Sequence, residues 1–227
     1  MTNTGPGRPR LTKQRRPGPT AAAEILDAAA ELFTTKGFSS TSTRQIADAV
    51  GVRQASLYHH FATKDDILAA LLQGTVTGAL AVADELIGRP EPAAVRLYTL
   101  LTVDAAQLVS VRWNLGALYL LPELRTDRFT PFRLERHRLR ARYAELARLV
   151  LADLGEDDPA RTGLPFRIVE TVINERSDVE SDGGLDAAHA ATVADAGLRV
   201  LGWVDVTALR APATVLAAEL GAGIDLG

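Results

Sequence analysis

No cysteine occurs anywhere in the 227 residues. That absence excludes disulfides, thiolate nucleophiles and Cys-ligated zinc together, and it agrees with a reducing cytoplasm. Histidine is nearly as scarce: His59, His60, His137 and His189 are the full set. None of them stands in an H-E-x-x-H or other metal-binding spacing, and there is no G-x-S-x-G elbow. No enzyme centre, metal site or cofactor is expected. Long β-branched runs are also missing, and nothing alternates with period two over a strand length. The longest uncharged stretch, "ILAALLQGTVTGALAVA" (67–83), contains Gln73, Thr75, Thr77 and two glycines. It sits at the short limit for a bilayer span, so a buried helix is the expectation and no membrane partner. The closing "GAGIDLG" has glycines but no strand–helix unit around it, and it is read as a tail.

What is present is an Ala- and Leu-rich chain, 47% hydrophobic and 23% charged, whose apolar residues recur at three and four. An all-α globular fold follows. The net charge of −3 is unevenly spread. Residues 1–64 hold nine Lys or Arg against four acids, a balance of +5, which leaves −8 on the rest. A basic head on an acidic body points to a polyanion partner for the head alone. Residues 1–19 carry five of those positive charges among prolines and glycines. They read as a flexible arm with no apolar core of a secretory signal.

Thr20 opens a first helix with Ile25, Leu26, Ala29, Leu32 and Phe33 on one face, closed by Lys36-Gly37. Ser42 with Gln45 three residues later is a capping box, and it starts a second helix with an apolar face of Ile46, Ala47 and Val50. Gly51 supplies the left-handed turn. A third helix then carries Ala55 to Phe61. Its inward side is Leu57 and Phe61, and its outward side is too polar to bury. Two short helices joined by a Gly turn, with Ala47 small enough for close approach and Leu57 as the plug, make a helix-turn-helix. The domain reading is an arm (1–19), a head (20–63) and a helical body (64–227).

The segment "TSTRQIADAVGVRQASLYHHFATKDDIL" resembles the DNA-binding signature of the tetracycline-repressor (TetR) family of bacterial regulators. The matching pieces are "GF" after the first helix, "TRQIADAVGV", and "SLYHHFATKDDIL"; residues 20–70 are covered closely. The resemblance implies an all-helical homodimer with a three-helix head that binds double-stranded DNA and a divergent body that binds a small-molecule effector. It places Thr43 and Arg44 at the phosphate backbone, with Arg44 within reach of a base. It places Gln54, Ala55 and Tyr58 against the major groove, and Ser56, Tyr58, His60 and Lys64 on phosphates; His59 suits either role. Thr43 departs from the Val, Met or Ile of many relatives. The chemistry agrees: Gln and Arg bind purine edges in two places, and Lys and aromatic hydroxyls grip the backbone. The "GRPR" of the arm, with Arg8 and Arg10, is similar to segments that enter a narrow A/T-rich minor groove.

The body reads as longer helices over 64–87, 93–110, 112–121, 131–153, 163–177 and 186–203, with a last one opening near Pro212. Tyr98, Gln107, Trp113, Asn114, Tyr119, Phe129, Phe132, His137 and Tyr143 gather between 98 and 143. Most should be core, but a mostly apolar pocket with a few polar groups is how small-molecule sites are lined. All of these except Phe129 are the effector-contact candidates. Arg133, Arg136 and Arg140 share a helical face, and pairing with nearby Glu is expected there ahead of anion binding. The dimer contact is expected on the late helices, through Ile168, Val169, Val172 and Ile173, and through Leu185, Ala188, Thr192, Leu198 and Leu201. A twofold dimer sets its recognition helices about 34–36 Å apart and so calls for a palindromic operator. The functional expectation is a cytoplasmic, nucleoid-associated repressor released by an effector. The alternative is a helical ligand-binding or protein-interaction module with only non-specific DNA affinity.

Overall fold

The computed structural model describes residues 16–178 and 187–221. Among them the regular structure is helical: α1 (Ala21–Thr35), α2 (Thr43–Val50), α3 (Gln54–Tyr58), α4 (Lys64–Ile87), α5 (Ala93–Ser110), α6 (Thr130–Asp153), α7 (Leu164–Val169), α8 (Thr171–Asp178), α9 (Ala187–Arg199) and α10 (Arg210–Glu219). Short 3-10 turns cover Leu115–Leu120, Pro122–Arg125, Asp127–Phe129 and Thr207–Leu209. The chain separates into two compact units, residues 1–70 and 71–227, with the division inside α4.

In the first unit the local signals act as the sequence suggests. Thr20 accepts from the Ala23 amide at 3.1 Å and caps α1. Ser42 accepts from the Gln45 amide at 3.2 Å, while its own amide donates to Gln45 Oε1 at 2.7 Å. Gly51 takes φ 79°, so its amide and that of Val52 turn back onto the Ala47 carbonyl. A residue with a Cβ is disfavoured in that conformation. Ile25, Phe33, Ile46, Ala47 and Leu57 are fully buried and form the head core. Phe38 meets Phe33 edge to face at 5.0 Å. A second reciprocal cap joins Thr63 and Asp66 at the start of α4. The third helix is shorter than the Ala55–Phe61 expectation. It ends at Tyr58, and His59 and His60 lie in the turn that follows, where the His60 and Phe61 amides bond the Leu57 carbonyl.

The second unit is organised around α5, whose first thirteen residues are nearly all buried. It packs most extensively on α9, then on α6 and α10. Gly197 makes the α5–α9 approach possible, since a Cβ there would stand 2.6 Å from Leu101 Cδ1. α4 is long and apolar enough to cross a membrane by length and composition, but Leu72, Val76, Ala79, Ala83 and Leu86 are buried within the protein. The helix expected over 163–177 is broken at Glu170 into α7 and α8. The Thr171 hydroxyl donates back to the Ile168 carbonyl at 2.7 Å at that point, a bond that bends helices. Within the stretch 112–121, Leu115–Leu120 form a 3-10 turn and no α-helix is present.

One expectation needs correction. Val169, Val172, Leu198 and Leu201 are at most 1% exposed within a single chain, and Ile173 only 9%. α7 and α9 pack on each other and on α5. The apolar stripe read as a dimer face is therefore the inside of one subunit. Of the nine residues expected to dimerise, Ile168 is half-exposed, and Ala188 and Thr192 on α9 are exposed. Periodicity locates an apolar face but says nothing of whether a second helix of the same chain covers it. Leu185 lies outside the described residues.

Candidate nucleic-acid interface

The helix-turn-helix leaves one polar surface uncovered. Gln54, Ala55, Ser56, Tyr58, His59 and His60 are all exposed, while Leu57 beneath them is fully buried. The outward side chains are tied to one another. Gln54 Nε2 donates to Thr43 Oγ1 at 3.0 Å and to the Tyr58 hydroxyl at 3.2 Å, and the two hydroxyls are 3.1 Å apart. α2 thus contributes one corner of a triangle and α3 the other two. Both amide hydrogens of Gln54 have partners, so its Oε1 is the acceptor left to face outward. Side chains held in place before binding lose less entropy on contact than free ones. Thr43, the departure from the usual Val, Met or Ile, is the residue that closes this triangle.

Arg44 is 80% exposed, and its guanidinium reaches Asp48 at only 4.0 Å. A surface pair at that distance is weak, so Arg44 stays available. Lys64 behaves differently. Its ammonium donates to the Phe38 carbonyl at 2.8 Å and the Thr41 carbonyl at 2.9 Å, and it sits 4.1 Å from the centroid of the Phe38 ring. It is only half-exposed. The structure therefore uses Lys64 to tie the α1–α2 connection to the start of α4. Arg16 likewise works inside the head, bonding Asp27 at 3.2 Å and Glu31. Arg8 and Arg10 lie outside the described residues.

The residues expected to meet an effector divide into two groups. Tyr98 and Tyr143 are fully buried and spent on the core. Tyr98 donates to Asp195 at 2.8 Å, and Arg210 donates to the other oxygen of that carboxylate at 2.8 Å. Tyr143 donates to Asp104 at 2.9 Å. Burial pushes the Asp104 carboxyl up to about 7; the Tyr143 bond opposes this and the Glu170 charge adds to it. Asn114 bonds the Ile173 carbonyl at 2.8 Å and Ser177 at 2.9 Å, and Gln107 reaches the Thr75 carbonyl at 3.3 Å. Trp113 lies under the Arg112 guanidinium at 4.6 Å.

Tyr119, Phe132 and His137 do come together, in the lining of a cavity of about 380 Å³. Tyr119 donates to Thr75 Oγ1 at 2.6 Å and packs against Phe132 with ring centroids 5.4 Å apart. Burial pushes its hydroxyl up to about 12. Four arginines share the lining: Arg125, Arg133, Arg136 and Arg140. The helical spacing of the last three is the signal, and of the three only Arg136 forms the expected pair with a Glu. Arg133 bonds the carbonyls of Leu124 and Thr126, and Arg136 pairs with Glu170 of another element. Among the described residues no group of acids and histidines could hold a metal ion.

Comparison with known proteins gives this surface its setting. Residues 25–71 match the model of the tetR family of bacterial regulatory proteins. The transcriptional repressor KstR2 of Rhodococcus jostii is 41% identical over 66 residues, 29% of each chain. The chain thus aligns with under a third of that curated relative's length. The crystal structure of Mycobacterium smegmatis AmtR is similar throughout, 58% identical with a TM-score of 0.84, over 92% of this chain and 98% of that one. The ketosteroid regulator KstR2 of Mycobacterium tuberculosis shares the fold at 22% identity, with a TM-score of 0.65 over 84% of this chain and 97% of its own. The chain belongs to the TetR family of bacterial regulatory proteins and is a DNA-binding transcriptional regulator.

Proposed function

We propose that this regulator is a homodimeric repressor that holds a palindromic operator and releases it when a small molecule enters the body. The observation that carries the DNA reading is the Thr43–Gln54–Tyr58 triangle, an exposed polar array on a rigid buried base. In this reading Gln54 and Ala55 face base edges, and Thr43, Arg44, Ser56, Tyr58 and His60 hold phosphates. His59 flanks them, and Arg8 and Arg10 enter the adjoining minor groove. Lys64 acts on DNA indirectly, by fixing the loop ahead of α2. The paired recognition helices meet successive major grooves about 34–36 Å apart.

The effector reading rests on the body. The cavity beside Tyr119 and Phe132 is matched by a second of about 380 Å³ between Tyr119, Glu170, Ile173 and Asn174, so Tyr119 and Arg136 border both. α4 carries Thr75, the partner of Tyr119, on the same helix that begins at Lys64. A ligand that moves Tyr119 therefore acts on a helix rooted in the head. Turning a 99:1 population of operator-competent protein into 1:99 takes about 5.5 kcal/mol of differential affinity. The second subunit meets a surface other than the buried stripe of α7–α9. Val204, 92% exposed, and Val215, 60% exposed, are apolar side chains suited to it.

The test is retention of a palindromic duplex from DNA upstream of the gene, against a scrambled duplex, across salt. Tyr58→Ala should weaken the palindrome roughly tenfold to hundredfold near 150 mM salt, with the subunit assembly unchanged in sedimentation. Equal affinity for the two duplexes with a steep salt slope would leave counterion release alone and favour the non-specific module.

A further inference from the structure

The cavity of about 380 Å³ beside Tyr119 has an unusual balance of charge. Its lining contains four arginines and His137, and no carboxylate. The arginines are not equivalent. Arg133 spends its guanidinium on the Leu124 and Thr126 carbonyls and on Thr130 Oγ1, and so fixes the turn that forms one wall. Arg136 is paired with Glu170 and lies between two rings, 5.2 Å from the Tyr119 centroid and 5.4 Å from that of Phe166. Its Nε is buried and has no hydrogen-bond partner. Arg125 and Arg140 are exposed and form no ion pair with a described carboxylate. The rest of the lining is aromatic or apolar: Tyr119, Phe132 and the leucines 120, 121 and 124. Leu120 is 93% exposed, the largest fractional exposure of any large apolar side chain in the described residues.

We propose that this cavity binds an organic anion, a carboxylate or phosphate monoester head on an apolar or aromatic body. The inference rests on the effector reading above and supplies the chemical class of its ligand. A planar guanidinium offers paired N–H donors that match a carboxylate or phosphate edge. Arg125 and Arg140 bring the uncommitted charge, and Arg136 brings the buried donor. A neutral ligand leaves all of these unanswered, and a cation is repelled by them. A bare inorganic anion leaves Leu120 in water. The amphiphile satisfies both halves, and its apolar body seats against the Tyr119 ring whose hydroxyl holds Thr75 of α4.

Calorimetry on the full chain separates these cases with four probes: phenylacetate, phenyl phosphate, 2-phenylethanol and inorganic phosphate. The two phenyl anions should bind saturably, at least about tenfold more tightly than the alcohol and than inorganic phosphate, as expected for charge-assisted hydrogen bonds added to apolar burial. The ratio of phenylacetate to phenyl phosphate affinity tells which head group is preferred. Arg125→Ala combined with Arg140→Ala should cost both anions about tenfold or more and leave the alcohol unchanged; both positions are exposed, so the fold is retained. Leu120→Ser should weaken the phenyl anions and spare inorganic phosphate. Anions that bind no better than the alcohol, or a double variant that binds them as wild type does, overturn the proposal. The operator gel run beside it distinguishes the two readings. Phenyl anions that bind but leave the operator complex intact uphold the site and remove its effector role.

Discussion

The two units of this protein use polar side chains in opposite ways. In the head, Thr43, Gln54 and Tyr58 bond one another at the surface, where their remaining acceptors and donors stay in contact with solvent. In the body, the comparable groups are sealed pairwise in the core: Tyr98 with Asp195, whose other oxygen the partly exposed Arg210 reaches, and Tyr143 with Asp104. A surface array can exchange its water for a base edge at little cost, whereas a buried pair can change only if the packing around it changes. Recognition of a fixed partner suits the first arrangement. A body that must hold discrete states suits the second, because a buried pair is either made or broken.

The largest effect on this contrast is expected at Asp104. Its carboxyl, raised by burial to about 7 from 3.8, binds a proton in the folded protein that the unfolded chain has already released. Its contribution to stability is fully present below about pH 4 and is lost as pH rises toward 7, with no further change above. Three units correspond to on the order of 4 kcal/mol across that window. Asp104→Asn keeps an acceptor for the Tyr143 hydroxyl and removes the titration. Urea midpoints at pH 4.5 and pH 8 should therefore differ less in the variant than in wild type, with the variant the more stable at pH 8. Equal slopes would mean that the pair is open to water, and the contrast between the units would lose its body half.

Lys64 tests the head half with a smaller effect. Lys64→Met keeps the stem and leaves the Phe38 and Thr41 carbonyls without their ammonium donor, at a cost of about 2–3 kcal/mol. Amide exchange in the α1–α2 connection should quicken first. Because the ammonium is committed inside the head, the salt dependence of operator binding should keep the wild-type slope. A slope shallower by about one unit would instead make Lys64 a direct phosphate contact.

How much of this was legible beforehand follows from what holds each part. The caps at Thr20 and Ser42 and the turn at Gly51 are decided within a few residues, so the head's helices could be read in order. So could the lengths of α4 and α5, whose ends are marked by Gly88, Pro90 and Pro92. The triangle is half visible in the sequence: Thr43, Gln54 and Tyr58 each stand out, but that they touch depends on how α2 and α3 cross. In the body, the stripe of Val169, Val172 and Leu198 looked the same as an intersubunit face, since apolar periodicity carries no label for its partner. Tyr143 and Asp104 are 39 positions apart, and no local signal joins them. Arg125 carries no such mark, because it reaches the cavity from a 3-10 turn, outside the helical spacing that marks Arg133, Arg136 and Arg140.

The smallest energetic effect, and the most specific, belongs to Thr43. With both Gln54 amide hydrogens taken by Thr43 and Tyr58, the side chain presents Oε1 alone. An acceptor by itself favours bases with an exocyclic amine in the major groove, adenine through N6 and cytosine through N4, and does not separate them. Thr43→Val removes one partner, freeing an N–H that can donate to adenine N7 while Oε1 accepts from N6. Stability should change by no more than about 0.5 kcal/mol, as for most surface substitutions. The base preferred at the Gln54 position should narrow to adenine, by roughly 1–3 kcal/mol over cytosine. Selection from a duplex randomised at that position, run on both proteins, reads this directly. Identical preferences would show that the triangle dissolves on contact with DNA and that the surface bonding of the head sets no specificity.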